Sequence, residues 1–582
     1  MRLAPRMRKK QWHILPADTL SAQLADELKI TPLLAQVLIN RGVKSSQEAK
    51  SFLNPRLNDL IEPELMPGVK AAVDRIEKAV KDKEKITIYG DYDVDGITAV
   101  AILLGLFKLL DAEVDFYIPH RIDEGYGLNI EAVEQIVQSG AKLLITVDCG
   151  ITAFGSALAA KQKGIDLIIT DHHRPAPDGS LPPAVAIVHP NLDENYPSQS
   201  TAGATVAFKL AWAVVNRFKG AKAASHHLRQ FLVNSTIFAA MGTIADVVDV
   251  RDENRIISSF GLRATAGSGL PGIDALIDAA GIKGQAIDSF HIGYCLAPML
   301  NAAGRMGHAR LAVELLTSDT PVKAVRIAEY LKQQNKQRQQ IEKKIFKHAC
   351  EMISTLGFDH PDRRTIVLAS DEWHTGVIGI VASRLVDKYY RPAIMFNVAD
   401  GKAQGSARSI EGFDILGAIT ACGSQLNSFG GHAMAAGLTI DADKIDNFIK
   451  GFENYAAQNW KTAEFVDRLE IDAVCSLRDL SIPAVQSLSM LGPFGRGNPS
   501  PIFVARGVRL VAPPRKVGQD GDHLQLAVCD SGASARCIGF SMAHLEKKLL
   551  ENEFFNIAFE PKVDNFYGHP SVQLVLSDIQ FE

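Results

Sequence analysis

From Lys85 onward, short apolar runs alternate with amphipathic stretches. Lys85–Tyr89 (KITIY) reads as a β-strand and ends in Gly90-Asp91. An apolar helix spans about Thr98 to Leu110, and Val114–Ile118 reads as a second strand. A helix over 130–139, a strand Leu143–Val147, a helix over 154–163 and a strand Leu167–Thr170 follow. This βαβα order predicts a parallel sheet covered by helices, in which ligands gather at the carboxyl ends of the strands.

The pattern changes on either side. Residues 1–80 read mostly as helices (Leu20–Leu28, Pro32–Arg41 and Val69–Val80) and are expected to pack as an N-terminal segment on an α/β domain spanning 81–320. Residues 175–200 carry six prolines and read as an irregular connection. Helices dominate from about 203 to 280. Residues 321–356 open with Pro321 and hold no further Pro or Gly before Gly357. The centre of this stretch, Lys332–Gln340, is very polar, as in helices that bridge domains. The helix is therefore placed at 321–357 as a connector, with a second α/β domain at 358–460. Short β-rich runs over 465–582, such as Leu524–Val528 and Phe555–Phe559, predict an OB-like β-barrel.

Composition narrows the function classes. The chain has 582 residues, enough for several cores. The basic start MRLAPRMRKK is not followed by an apolar region and reads as an arm rather than a signal peptide. No apolar run is long enough to span a bilayer, so no membrane is expected. Seven dispersed cysteines form no CxxC pair, which suits reduced thiols and a cytoplasmic location. A net charge of −4 argues against a bulk electrostatic nucleic-acid binder while leaving room for a local basic groove.

The candidate chemistry sits at the strand ends. Asp91, Asp93 and Asp95 alternate directly after the first strand. Such mutually repelling carboxylates suit a hard divalent cation, although an acidic turn has the same composition. Asp148 follows the strand Leu143–Val147, and Asp171-His172-His173 follows Leu167–Thr170. Asp246 closes the apolar run Ile237–Met241. Singly, these read as caps or turns. Jointly, parallel strands bring them to one sheet edge, and mixed Asp/His ligation suits Mn²⁺ and admits Mg²⁺.

In order and context, Asp93-Val94-Asp95-Gly96, Asp148, Asp171-His172-His173 and Asp246 resemble the DHH phosphoesterase superfamily. The resemblance implies a site for two Mn²⁺ or Mg²⁺ ions. Asp93 and Asp95 would each bind one ion and Asp148 would bridge them. His172 and Asp246 would complete one ligand set, and His173 would orient or contact phosphate. Many relatives carry a His four residues before the first ligating Asp, where this chain has Tyr89, so Asp91 is a further candidate ligand.

Other segments narrow the resemblance to the RecJ-like exonuclease branch: Ile118-Pro119-His120-Arg121, Glu124–Leu128, Leu300–Arg305, Glu372–Pro392, Arg408-Ser409, Gly430–Gly437 and Gly492–Pro499. It implies a DHH domain joined by a long helix to a DHHA1 domain, with an OB-like module after it. Arg121, Tyr126, Asn301, Arg305, His374, Arg408, Gly430, Gly431 and His432 become candidate DNA contacts. The implied activity is 5′→3′ degradation of single-stranded DNA to 5′ mononucleotides by two-metal hydrolysis, in recombination and repair. Single-strand-binding protein and a RecQ-like helicase are implied partners, and the implied state is a monomer. A phosphodiesterase for short oligonucleotides or cyclic dinucleotides shares the metal motifs but lacks the third module. A binding protein that had lost catalysis would not need the Asp/His set.

Overall fold

The computed structural model describes residues 10–121, 124–218, 222–360, 362–460, 467–530, 532–564 and 568–581. The basic stretch 1–9, expected to form an arm, lies outside the described residues. The chain divides into two compact units. One comprises Ile61–Val248 and Phe260–Phe465; the other comprises Met1–Leu60, Asp249–Ser259 and Val466–Glu582.

The first unit is built on a five-stranded, all-parallel sheet. Its spatial order is Val114–Tyr117, Ile86–Gly90, Leu143–Val147, Asp166–Thr170 and Ala186–Val188. The central strands are apolar and buried on both faces, as helix-covered parallel sheets require. Ala186–Val188 lies within the proline-rich stretch expected to be irregular. Three residues between Pro183 and Pro190 suffice for an edge strand, where proline interrupts only one side of the ladder. The helix Val94–Leu109 is buried nearly all round and packs against Gly203–Arg217 and Lys222–Ala245. Its lack of a polar stripe follows from that position.

The helix Pro321–Leu356 runs 36 residues, from Pro321 in its first turn to Gly357 at φ 70°. It buries Ala324, Ile327, Ala328 and Leu331 near one end and Ile345, Ala349 and Ile353 near the other. Between them only Arg338 is buried. After it, Ile366–Ser370 pairs in parallel with Ala393–Ala399, and Lys402–Arg408, Ala435–Asp441 and Leu426–His432 extend that sheet antiparallel.

In the second unit, five strands close a ring of pairings. Phe503–Leu510 pairs with both Phe555–Asp564 and His523–Cys529. Ser534–Gly539 and Ser571–Phe581 complete the circuit, with one parallel pair. This is the Greek-key barrel of an OB fold. Leu24, Leu34, Leu38 and Ala49 share one buried core with Leu488, Phe503, Phe555 and Leu576. Here the structure corrects the expectation for residues 1–80. Val69–Lys81 packs into the α/β domain, against Gly203–Arg217 and the edge strand, and the short turn Pro63–Leu65 before it also lies on Gly203–Arg217. The earlier helices have their apolar face on the barrel. Helical periodicity reveals an apolar face but not its partner.

Candidate active site

The site begins with sheet register. Gly90 pairs with Val147, Val147 with Thr170, and Thr170 with Val188. The next residues, Asp91, Asp148, Asp171 and His189, therefore leave the sheet along one edge. The first strand lies between the second and third, so Asp91 and Asp148 flank the point where chain direction across the sheet reverses. Asp148 adopts φ 60° and Gly150 φ 115°, so the chain turns sharply at the strand end.

Asp93 caps the helix Val94–Leu109, accepting the N–H groups of Asp95 (2.9 Å) and Gly96 (3.2 Å) on Oδ1. Asp95, in the first turn, accepts from Gly203 N–H (2.6 Å) and Ala204 N–H (2.9 Å), at the start of the helix Gly203–Arg217. Asp246 follows the helix Lys222–Ala245, and the next residue, Val247, holds φ 58°. A β-branched residue in the left-handed region is strained, and such strain collects at functional sites.

Among the described residues, three groups that can hold a cation overlap. They are Asp91, Asp93 and Asp148; Asp95, His172 and Asp246; and Asp148, His172 and His173, with ligand atoms within 4.8 Å of one another in each. His172 Nε2 lies 3.1 Å from Asp148 Oδ1, 3.7 Å from Asp95 and 3.8 Å from Asp246. Burial first, then neighbouring carboxylates, pushes Asp91, Asp95 and Asp148 well above the usual carboxylate range. Burial and the adjacent His173 pull His172 down to about 4, leaving it a neutral donor. Asp91 Oδ1, Asp148 Oδ1 and His172 Nε2 are buried without a hydrogen-bond partner. Buried polar atoms in folded proteins generally find partners, so oxygen and imidazole donors left without hydrogen bonds in one cluster fit divalent cations.

Asp171 belongs to none of these groups. Its Oδ1 accepts from the N–H groups of His172 (2.7 Å) and His173 (3.1 Å), and its Oδ2 from Ile151 N–H (2.9 Å). Burial opposes its ionisation, but the hydrogen bond and charge of His173, 2.7 Å away, bring it down to about 2. In return Asp171 raises His173 to about 9 against the effect of burial. His173 thus stands as a cation beside the ligand cluster, with Tyr126 packed edge-on to it. Tyr89 is fully buried. It donates to Gly127 O (2.8 Å) and stacks on Tyr117, so it supports the Tyr126 loop, and Asp91 lines the cluster instead.

Facing the acids is a wall of arginines. Arg305 is brought down to about 9 by burial and then by Arg121, Arg338 and Arg408, and is still cationic at neutral pH. It donates to Gly376 O (2.9 Å), while Arg121 lies over the Tyr92 ring (4.7 Å). Arg408 donates to Ala407 O (2.7 Å). Asn301 Oδ1 accepts Val94 N–H (3.1 Å), tying its helix to the acidic loop. Glycines permit the approach: a Cβ on Gly304 would meet Tyr92 O at 2.5 Å, and one on Gly376 would meet Arg305 O at 2.7 Å. His374 caps the helix Thr375–Tyr389. Gly430, Gly431 and His432 lie on the exposed edge strand Leu426–His432, outside all three cation groups.

Four participants escaped the sequence reading. Gly203 and Gly242 leave no room for side chains: a Cβ would come within 2.7 Å of Asp148 and 2.3 Å of Asp95, respectively. His189 donates to His173 O (2.7 Å) while its other nitrogen accepts Asn191 N–H, so it anchors the His-His loop. A His at the end of an apolar run was the available signal. Arg338 lay hidden in the polar centre of the long helix.

Family models match in the order the fold presents them: the DHH family N-terminal domain over residues 85–236, the DHHA1 domain over 362–458, and the RecJ OB domain over 471–578. The single-stranded-DNA-specific exonuclease RecJ of Bacillus subtilis (strain 168) is 37% identical over 98% of this chain and 71% of its own length. The protein of the same name from Haemophilus influenzae is 34% identical over 94% of this chain and 96% of its own. The crystal structure of Thermus thermophilus RecJ in complex with Mn²⁺ superposes with a TM-score of 0.83 at 28% identity, covering 98% of this chain and 80% of that one. With identity sustained over nearly the whole length and all three modules in register, the chain belongs to the RecJ family.

Proposed function

We propose that this chain is a metal-dependent exonuclease that degrades single-stranded DNA from the 5′ end to 5′ mononucleotides. One observation carries the reading: buried Asp91, Asp148 and His172 donor atoms without hydrogen bonds converge at a sheet edge that faces the arginine wall. A cluster of acids demands cations, and adjacent guanidinium groups demand a polyanion. The Mn²⁺ complex of the Thermus relative and the names of the curated relatives support the same choice.

Asp93, Asp148 and Asp91 would hold one divalent ion, Mn²⁺ or Mg²⁺, and Asp95, His172 and Asp246 would hold a second. When bound, such a pair supplies Lewis-acid activation of water and of the phosphodiester. The remaining roles belong to the chain. Asp171 holds the His172-His173 loop and keeps His173 protonated, so that His173 can donate to a phosphate oxygen. Arg121, Arg305 and Arg408 grip the backbone phosphates, and Tyr126 packs beside the terminal nucleotide. In this reading the domains are 81–320, 321–357, 358–460 and 465–582, and a groove between the two α/β domains would admit one strand but not a duplex. The OB barrel retains the trailing strand by charge and stacking. The biological setting in this reading is cytoplasmic recombination and repair, as a monomer working with single-strand-binding protein and a RecQ-like helicase.

The test is digestion of 5′-labelled and 3′-labelled single strands and matched duplexes with Mn²⁺, Mg²⁺ or chelator. The expected result is immediate release of 5′-label as mononucleotide, from single strands and with metal alone. Activity confined to dinucleotides would replace this reading with the short-oligonucleotide phosphodiesterase.

A further inference from the structure

One helical run, beginning just before His291 and ending at Arg305, carries a second feature beside Asn301 and Arg305. Its opening segment, His291–Leu296, is a π-helix, a rare geometry that recurs at functional sites. Phe290 and Tyr294 stand out from it, 60% and 75% exposed. Their rings stack on each other with centroids 5.1 Å apart and planes 25° from parallel. Tyr294 is the most exposed aromatic among the described residues. Two large rings held open to solvent sacrifice burial that a single core contact would recover, and paired exposure of this kind marks a binding surface.

The position of the pair identifies the occupant. The segment packs against the helix Lys222–Ala245, where a Cβ on Gly293 would sit 4.0 Å from Ile244, two residues before Asp246. In the other direction, Asn301 touches the acidic loop at Val94, about 10 Å of helical rise beyond Tyr294. The helical run that carries the stack is therefore tied at one point to the helix leading into Asp246 and at another to the acidic loop at Val94. A flat, uncharged aromatic face on the same helical run as Arg305 is complementary to a nucleobase whose backbone follows the arginines. We propose that Phe290 and Tyr294 form a base-stacking platform for the nucleotides that trail the scissile phosphate. The platform rests on the exonuclease reading and adds to it a sequence-independent check that the substrate has unpaired bases.

The experiment compares the whole protein with the F290A/Y294A and F290W/Y294W double variants. Binding of a fluorescent 20-nucleotide strand is followed by anisotropy in Ca²⁺, with intact bases or with abasic sites at the second to fifth positions. Hydrolysis of the 20-mer and of a dinucleotide is followed in Mn²⁺. The platform predicts that the alanine pair lowers the preference for 20-mer over dinucleotide about tenfold, at the low end for loss of a stacked base. Abasic sites should impose the same loss on the unsubstituted protein and none further on the alanine pair, and the tryptophan pair should restore binding. Unchanged 20-mer affinity in the alanine pair, or full sensitivity to abasic sites without the rings, would overturn the platform. Failure of the unsubstituted protein to cleave single strands would instead overturn the exonuclease reading, leaving the anisotropy comparison to decide on the platform.

Discussion

Asp171 shows how one side chain is given its task by its surroundings. It carries the first letter of the Asp-His-His motif, yet all its contacts are inward, to three backbone N–H groups and the His173 ring. The pairing has a definite pH window. Asp171 falls to about 2 from an ordinary 3.8, so its contribution is present above about 4 and lost as pH falls through about 2. His173 rises to about 9 from 6.5, so its contribution is complete below about 6.5 and lost as pH rises through about 9. Replacing Asp171 by Asn should return the His173 titration toward 6.5, read by NMR of the imidazole. It should lower kcat about ten- to a hundredfold, the usual effect of removing an outer partner of a ligand. A His173 that still titrates near 9 in that variant would refute the assignment. The motif letters were legible in sequence; the inward role of Asp171 was not, because backbone donors become partners only when the strand ends are aligned.

At the scale of elements, the site depends on how closely helices approach the strand ends. The helix Gly203–Arg217 sets its first two N–H groups on Asp95, and Gly203 has no side chain because Asp148 occupies that space. Gly203→Ala should cost about 1–3 kcal/mol of stability, the usual penalty for overpacking. It should also weaken Mn²⁺ binding at least tenfold by displacing Asp148, measured by calorimetry beside a thermal melt. Wild-type metal affinity in that variant would show that Asp148 has room to move. The apolar period predicts this helix readily. Nothing in the local sequence marks Gly203, since the reason for a glycine here lies more than fifty residues away along the chain.

Two expectations concern the whole molecule. The acids at the sheet edge tie stability to metal and pH together. In the metal-free protein, Asp91, Asp95 and Asp148 have raised pKa values, so the contribution of their protonated forms is lost as pH rises. Bound cations remove that loss and add about 2.7 kcal/mol at a hundredfold excess over Kd. The difference in Tm between Mn²⁺-loaded and chelated protein should therefore widen as pH rises above the ordinary carboxylate range; a constant difference would mean that the carboxylates are not held protonated when the metal is gone. The second expectation follows from the core shared by the helices over 19–53 and the barrel strands. Deleting 466–582 alone should leave Leu24, Leu34 and Leu38 uncovered and produce aggregates on size exclusion, whereas deleting residues 1–60 as well should reduce aggregation. Equal behaviour of the two truncations would contradict the shared core.

By itself, the sequence determined the alternation of strands and helices, the long connector from Pro321 to Gly357 and the convergence of Asp91, Asp93, Asp148, Asp171 and His172 on one edge. These follow from local periodicity, helix-end chemistry and the rule that parallel strands share a carboxyl edge. Tertiary structure decided what required distant neighbours. It set the opposite protonation of His172 and His173, the recruitment of Asp91 where Tyr89 turns into the core, and the roles of Gly203, His189 and Arg338. It also gave the N-terminal helices to the barrel. Each of these depends on burial, close approach or charge from residues far along the chain, and such quantities exist only once the chain has folded.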